Sequence, residues 1–213
     1  MTPFKKQTGI VAPLDSSNVD TDQIIPKQFL KSIKRTGFEE GLFFDWRFLP
    51  NGKPNPDFIL NQPAFQKATI LIARNNFGCG SSREHAVWAI KQYGFDVVIA
   101  PSKQNGDLKV PAFADIFRNN SVKNSLLTIE LSEKEVDQIF EQIQAHPGLK
   151  ATVDLENQKV ILHSSPECSF SFEISSAAKK RLLEGLDDIG LSLQYEKEIT
   201  SFEGRHNAQF RPS

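Results

Sequence analysis

The run Asn75-Asn76-Phe77-Gly78-Cys79-Gly80-Ser81-Ser82-Arg83-Glu84-His85-Ala86 crowds two glycines, a thiol, two adjacent hydroxyls, a guanidinium, a carboxylate and an imidazole into one short stretch. Gly78 and Gly80 permit a tight turn and a close backbone approach to a ligand, with the backbone of Gly78, Cys79 and Gly80 forming the wall of an anion loop. Ser81-x-x-Glu84 spells a capping box, which predicts a helix with Ser81 at its N-cap. Free N–H groups and the positive dipole end at such a start attract an anion. Arg83 falls where the dipole disfavours a cation, and it makes more sense facing a carboxylate, which a guanidinium can grip with two parallel bonds. The chemistry predicted is therefore recognition of a carboxylate or phosphate beside hydroxyl groups. Cys79 in a glycine turn reads as inert more often than nucleophilic, although a helix N-terminus would lower its pKa. His85 reads more often as a structural hydrogen-bonding residue than as a base. The stretch does not spell a nucleotide phosphate loop or a serine-hydrolase elbow, and the chain has no H-E-x-x-H or paired C-x-x-C metal pattern.

The surrounding pattern says how this loop must be held. Ala68–Ala73, ATILIA, is a compact apolar strand, REHAVWAIKQYG reads as a helix stopped at Gly94, and DVVIAP at 96–101 is a second buried strand. Strand, helix and strand so close together make a βαβ unit with a parallel pair, and ligands in such folds lie beyond the carboxyl ends of the strands, where the loop falls. TGIVAPL at 8–14 predicts another strand, ADIF at 114–117 a short helix, and SLLTIEL at 125–131 a third core strand. Ser132 and Glu135 cap a helix carrying the stripe Val136, Ile139, Phe140 and Ile143, which His146-Pro147-Gly148 ends. TVDLENQKVIL predicts a β-hairpin, FSFEI at 170–174 a further strand, and AKKRLLEG and LQYEKEITSFEG closing helices. The fold class is α/β with a partly parallel sheet and a later β-rich portion.

Composition removes several classes of function. A net charge of −1 predicts no basic face for nucleic acid, and no apolar run approaches the ~20 residues of a membrane span. The N-terminus lacks a signal-peptide core, and two cysteines, Cys79 and Cys168, make no disulfide framework, so the expected compartment is cytoplasmic. Two cysteines are also too few to hold an iron–sulfur cluster, which usually takes three or four protein ligands. Asp15, Asp20 and Asp22 lack the glycine and closing glutamate of an EF-hand and read as a solvated or substrate-side loop.

FGCGSSREHA, with NVDTDQIIPKQFL at 18–30, resembles the small subunits of 3-isopropylmalate dehydratases and, more broadly, the swivelling domain of the aconitase superfamily. The likeness continues through RTGFEEGLFFDWRF at 35–48, YGFDVVIAPS at 93–102, FADIFRNN at 113–120 and LLEGLDDIGLSL at 182–193. It implies one swivelling β/β/α domain over residues 1–213, with helices outside, a β-hairpin and a helical C-terminal extension from about 176. It implies a hydro-lyase that interconverts 2- and 3-isopropylmalate through 2-isopropylmaleate in leucine biosynthesis. A [4Fe–4S] cluster on a separate large subunit would serve as Lewis acid, with no cofactor or metal on this chain, and the two would form a heterodimer. By the same likeness Ser81 is the general base, Ser82 and Arg83 bind substrate carboxylate, and Arg35, Thr36 and Gly37 belong to the segment that discriminates among substrate side groups.

The sequence departs from the family pattern at KQNGDLKVPA, residues 103–112, which intervenes between Pro101-Ser102 and FADIF and reads as a surface loop or hairpin turning at Asn105-Gly106. VAPLDSSNVD carries no arginine of the kind aconitase uses for substrate, which argues against citrate. Two other functions compete: the same chemistry on citramalate or a related malate, and a non-catalytic carboxylate-binding module.

Overall fold

The computed structural model describes residues 2–31, 35–81, 83–106 and 108–209. Its strands are β1 (Lys6–Leu14), β2 (Ala68–Ala73), β3 (Val97–Asn105), β4 (Leu108–Val110), β5 (Leu127–Ser132), β6 (Lys150–Asp154), β7 (Lys159–Leu162) and β8 (Cys168–Ser171). Its helices are α1 (Thr21–Ile24), α2 (Phe44–Arg47), α3 (Glu84–Tyr93), α4 (Asp115–Lys123), α5 (Glu133–Ala145), α6 (Ser176–Glu184), α7 (Asp188–Leu193) and α8 (Glu196–Gln209).

β1, β2, β3 and β5 are parallel neighbours in that order, and β6, β7 and β8 continue the sheet antiparallel from the other edge of β1. The parallel strands are nearly all apolar because both faces are covered: Ile70, Leu71, Ile72 and Ala73 in β2 and Val97 and Val98 in β3 have no exposure. α5 packs against β1, β3 and β5, while α3 lies against α1 and α4. α5 begins at the expected box, with Ser132 accepting from the Glu135 N–H and the Glu135 carboxylate accepting from the Ser132 N–H. α3 ends at Gly94, left-handed at φ 118°, as expected from its sequence.

Three elements differ from expectation. β8 stops at Ser171 rather than Ile174, because its partner β7 begins at Lys159 and the chain before it turns through Gln158 at φ 52°. The two expected closing helices form as α6 and α8, but a further helix, α7, lies between them, started by the Asp187 carboxylate, which accepts from the Gly190 N–H at 2.7 Å. β3 runs past its expected end at Pro101 to Asn105, and its extension forms the hairpin that the 103–112 stretch suggested, pairing Lys103 with Val110 and Asn105 with Leu108.

Candidate active-site loop

Four parallel strands end on one edge, and the chain leaving β2 is built there between two other chain segments. On one side it pairs with the segment leaving β1: Asn18 N–H donates to Asn75 O (3.0 Å), Gly78 N–H to Val19 O (2.8 Å) and Thr21 N–H to Cys79 O (3.0 Å). On the other side it pairs with the segment entering α4, through Asn76 N–H to Pro111 O and Phe77 N–H to Ala112 O, both 2.9 Å. Loop backbone groups are thereby satisfied before any ligand arrives, which makes this a rigid platform.

The glycines serve this packing. Gly78 sits at φ 75°, and a Cβ there would lie 2.2 Å from Cγ of Phe117. The close approach is therefore made by a core aromatic ring, with Phe117 itself in ring contact with Phe77 at 5.3 Å. Gly80, at φ 84°, faces Asp20, 3.2 Å from where its Cβ would stand. Both close contacts are made by the protein's own side chains, so the packing alone requires glycine at each position.

Ser81 is exposed, and its carbonyl accepts from the buried Thr21 hydroxyl at 2.6 Å. It does not cap α3. The N-cap is Arg83, extended at φ −139° and without a side-chain capping bond. The reason is local: the left-handed turn at Gly80 and the Thr21 anchor delay helical geometry until Glu84. The Glu84 carboxylate then accepts from Asn124 Nδ2 at 2.9 Å instead of reaching back to form a capping box. The helix start is left without a side-chain cap, which suits an anion, and the Ser81 hydroxyl is not committed to capping. Ser82 lies outside the described residues.

The Arg83 side chain is only 16% exposed, and its Nη1 pairs with the Asp22 carboxylate, which Lys27 Nζ also approaches at 3.9 Å. The hydrogen bond from Arg83 holds the Asp22 carboxyl below its ordinary pKa. The acidic segment is thus not simply solvated: Asp20 caps α1 and Asp22 aims the guanidinium. Cys79 carries the raised pKa of an unreactive thiol, in line with its reading as inert, and the lowering a helix terminus could give does not prevail. Burial pushes the thiol up, the negative charge of Asp20 adds to this, and a backbone hydrogen bond only partly offsets both.

Arg35, Thr36 and Gly37 are exposed, in a segment held against α3. Gln92 clamps them, donating to Arg35 O at 2.8 Å and accepting from Phe38 N–H at 3.0 Å. The Arg35 guanidinium sits over Trp88 (5.6 Å to the ring centre), and Phe38 packs edge-on to His85 at 5.2 Å. His85 is thus an aromatic packing partner. Residues 32–34, directly before them in the chain, lie outside the described residues.

Arg74 is the site-organising residue that the sequence pattern did not reveal. It heads the loop, its N–H donates to Ser16 O, its guanidinium pairs with Asp15 and Asp137, and Phe140 lies 4.2 Å below it. Burial alone would lower its pKa, but the two carboxylates outweigh that and raise it. An arginine directly after an apolar strand was the available signal, but its two carboxylates lie far off in sequence. A cavity of about 740 Å³ lies elsewhere, between β5, α4 and residues 171–182, and no residue of 74–83 lines it. The loop is an open platform on the strand edge.

The carboxyl edge of the parallel strands thus carries an uncapped helix start, with Ser81 exposed and Arg83 paired to Asp22. Comparison with known proteins gives the class to which this fold belongs. The family model for the aconitase C-terminal domain matches residues 1–134, and a second model, LeuD_N, matches residues 137–176. The chain is 54% identical over 205 residues to a 3-isopropylmalate dehydratase small subunit from Desulforapulum autotrophicum, covering 96% of each chain. It is 52% identical over 205 residues to the one from Brevibacillus brevis, covering 96% of this chain and all of the other. A crystal structure of a 3-isopropylmalate dehydratase (leuD) from Methanocaldococcus jannaschii shares the fold, with a TM-score of 0.62 at 24% identity over 93% of this chain and 99% of that one. The chain belongs to the 3-isopropylmalate dehydratase small-subunit family, within the aconitase C-terminal domain class.

Proposed function

We propose that this chain is the small subunit of a 3-isopropylmalate dehydratase, a hydro-lyase of leucine biosynthesis that interconverts 2- and 3-isopropylmalate through 2-isopropylmaleate. The observation that carries this reading is identity above one half along 96% of the chain with relatives of that name. The open platform around Ser81 supports it.

The cluster such chemistry needs does not fit here. The two cysteines lie apart, Cys79 in the loop after β2 and Cys168 at the start of β8, and no group of three or more His, Cys, Asp or Glu among the described residues could hold a metal ion. The large subunit would carry a [4Fe–4S] cluster that acts as Lewis acid on the substrate hydroxyl.

This chain's own contribution is to bind carboxylate and to move a proton. Arg83 would take a substrate carboxylate, with Ser82 beside it. The Ser81 oxygen would take the proton from carbon in dehydration and return one in hydration. A serine hydroxyl is a weak base in water. The uncapped α3 terminus and the neighbouring guanidinium would stabilise its alkoxide once the partner excludes solvent. Arg35, Thr36 and Gly37 would bear on the substrate side group. No helix among the described residues is long and apolar enough to cross a membrane. The small-subunit name of the relatives supports pairing with a large subunit, as a heterodimer placed by this reading in the cytoplasm.

Anaerobic co-expression with a large subunit, followed by an absorbance assay for isopropylmaleate, tests the reading. Activity is expected from the pair and from neither chain alone, and turnover by this chain alone would overturn it. Ser81→Ala should lower kcat by roughly 10²–10⁴-fold, the range for loss of a positioned proton carrier. Because Ser81 is exposed and caps nothing, melting temperature and assembly should not change. Near-normal turnover would remove Ser81 as the base.

A further inference from the structure

Ser81 is exposed and caps nothing, so something other than its own hydroxyl must hold it in place. Three consecutive residues at the start of α1 grip the chain around it. Asp20 stands against Gly80, 3.2 Å from where a Cβ there would be. The Thr21 N–H donates to Cys79 O at 3.0 Å and the Thr21 hydroxyl to Ser81 O at 2.6 Å, so one residue binds the carbonyls on both sides of Gly80. Asp22 pairs with Arg83. α1 is itself fixed: Asp20 and Gln23 close a capping box, Ile24 and Ile25 have no exposure, and Ile24 O accepts from the Phe43 N–H at 2.8 Å. The loop is thus templated on one anchored helical turn.

The bond from Thr21 has a local competitor. Ser81-x-x-Glu84 spells a capping box. In that box Ser81 would be the N-cap: its carbonyl would accept the first hydrogen bond of the helix, and its hydroxyl would accept from the Glu84 N–H. Thr21 claims that carbonyl instead. Thr21 is 1% exposed, in a setting where an unpaired hydroxyl is costly, so the claim is firmly held. With the Ser81 carbonyl drawn to α1, the residue stays outside the helix start and its hydroxyl stays unused.

We infer that Thr21 is a positioning residue for the proposed base: its buried hydroxyl holds Ser81 out of the capping box that the sequence spells, which leaves the Ser81 oxygen free to carry a proton. This rests on the proposed function. Thr21 itself meets no reacting atom and acts through Ser81.

The test uses the full chain assembled anaerobically with a cluster-loaded large subunit. Isopropylmalate turnover is measured for the wild type, Thr21→Val, Thr21→Ser, Ser81→Ala and the double variant Thr21→Val/Ser81→Ala. Valine has nearly the shape of threonine without the donor, and serine keeps the donor. Thr21→Val should lower kcat on the order of 10²-fold, the scale of a misplaced reacting group, with KM changed by less than about threefold because Arg83 and Asp22 are intact. Thr21→Ser should restore most of the rate. In the Ser81→Ala background Thr21→Val should lower kcat no further, because the residue it positions has lost its hydroxyl. Hydrogen exchange at the Glu84 amide of the unassembled chain gives a readout without turnover. It should slow in Thr21→Val, as the Ser81 hydroxyl takes up the cap, and stay fast in the double variant. Should Thr21→Val not fold, Thr21→Ala replaces it with the same expectations. Unchanged exchange at Glu84, or a loss of kcat of the same size with and without the Ser81 hydroxyl, overturns the inference and leaves the proposed function standing. If the wild-type pair is inactive, or Ser81→Ala turns over at a near-normal rate, the proposed function or its base fails and the positioning role falls with it.

Discussion

Replacing Gly78 by alanine asks whether the loop is shaped by the core beneath it or by what binds above it. A Cβ at this position would lie 2.2, 2.5 and 2.6 Å from Cγ, Cδ2 and Cβ of Phe117, far inside contact distance. Phe117 is 2% exposed, enclosed by Phe77 and Phe113, and has little room to retreat. The backbone also sits at φ 75°, where a non-glycine residue costs roughly 1–3 kcal/mol. Overpacking adds roughly another 1–3 kcal/mol. The sum, roughly 2–6 kcal/mol, is a large part of a total stability of about 5–15 kcal/mol. For a chain of this size, at roughly 2–4 °C per kcal/mol, it corresponds to a melting temperature lower by roughly 4–24 °C. Calorimetry of the isolated chain measures this without any substrate or partner. Gly80→Ala is the control: it has a similar φ of 84°, but its nearest neighbour would be 3.2 Å away, so its loss should be clearly smaller. Phe117→Leu should partly relieve Gly78→Ala, giving a coupling energy above about 1 kcal/mol in a double-mutant cycle. A Gly78→Ala chain that melts within about 1 °C of the wild type, or additive effects in the cycle, would refute the claim that Gly78 exists to admit the Phe117 ring.

Asp22→Asn should raise KM for the substrate with a smaller change in kcat, because Arg83 loses the carboxylate that orients it; equal KM in both proteins would count against that role. The ion pair's contribution to stability should be below about 1 kcal/mol, since the Asp22 side chain is 42% exposed. Because its folded pKa is depressed, this contribution is present above the ordinary carboxylate pKa and fades as pH falls through the lowered value. The difference in melting temperature between wild type and Asp22→Asn should therefore close in acid, and a gap that widens there would contradict the assignment. In a Cys168→Ser background, alkylation of Cys79 should accelerate with pH around a midpoint above that of an ordinary thiol, and a midpoint below it would contradict the burial and Asp20 effects described above.

Much of the architecture was legible because it follows from local rules. ATILIA is a buried strand because nothing in it can face water, and Ser132-x-x-Glu135 starts α5 because both cap partners lie within one turn. Short-range rules failed where a distant contact competed for the same group. Ser81-x-x-Glu84 is as good a capping box on paper as Ser132-x-x-Glu135. It does not form because Thr21 takes the Ser81 carbonyl and Asn124 takes the Glu84 carboxylate. The inertness of Cys79 was legible from its glycine turn, but its causes were not: burial and Asp20 dominate its thiol, and Asp20 is brought there by pairing of the two loops.

The sequence by itself determined the parallel core, the place of the loop at the strand ends and, through its likeness to a family, the class of chemistry. Two cysteines in the whole chain also required any iron–sulfur cluster to lie elsewhere. Tertiary structure alone decided which hydroxyl stays uncommitted, which carboxylate faces Arg83 and what fills the space over Gly78. Each of these is a contest between groups far apart in the chain for one donor, one charge or one volume, and only the folded chain settles which of them meet.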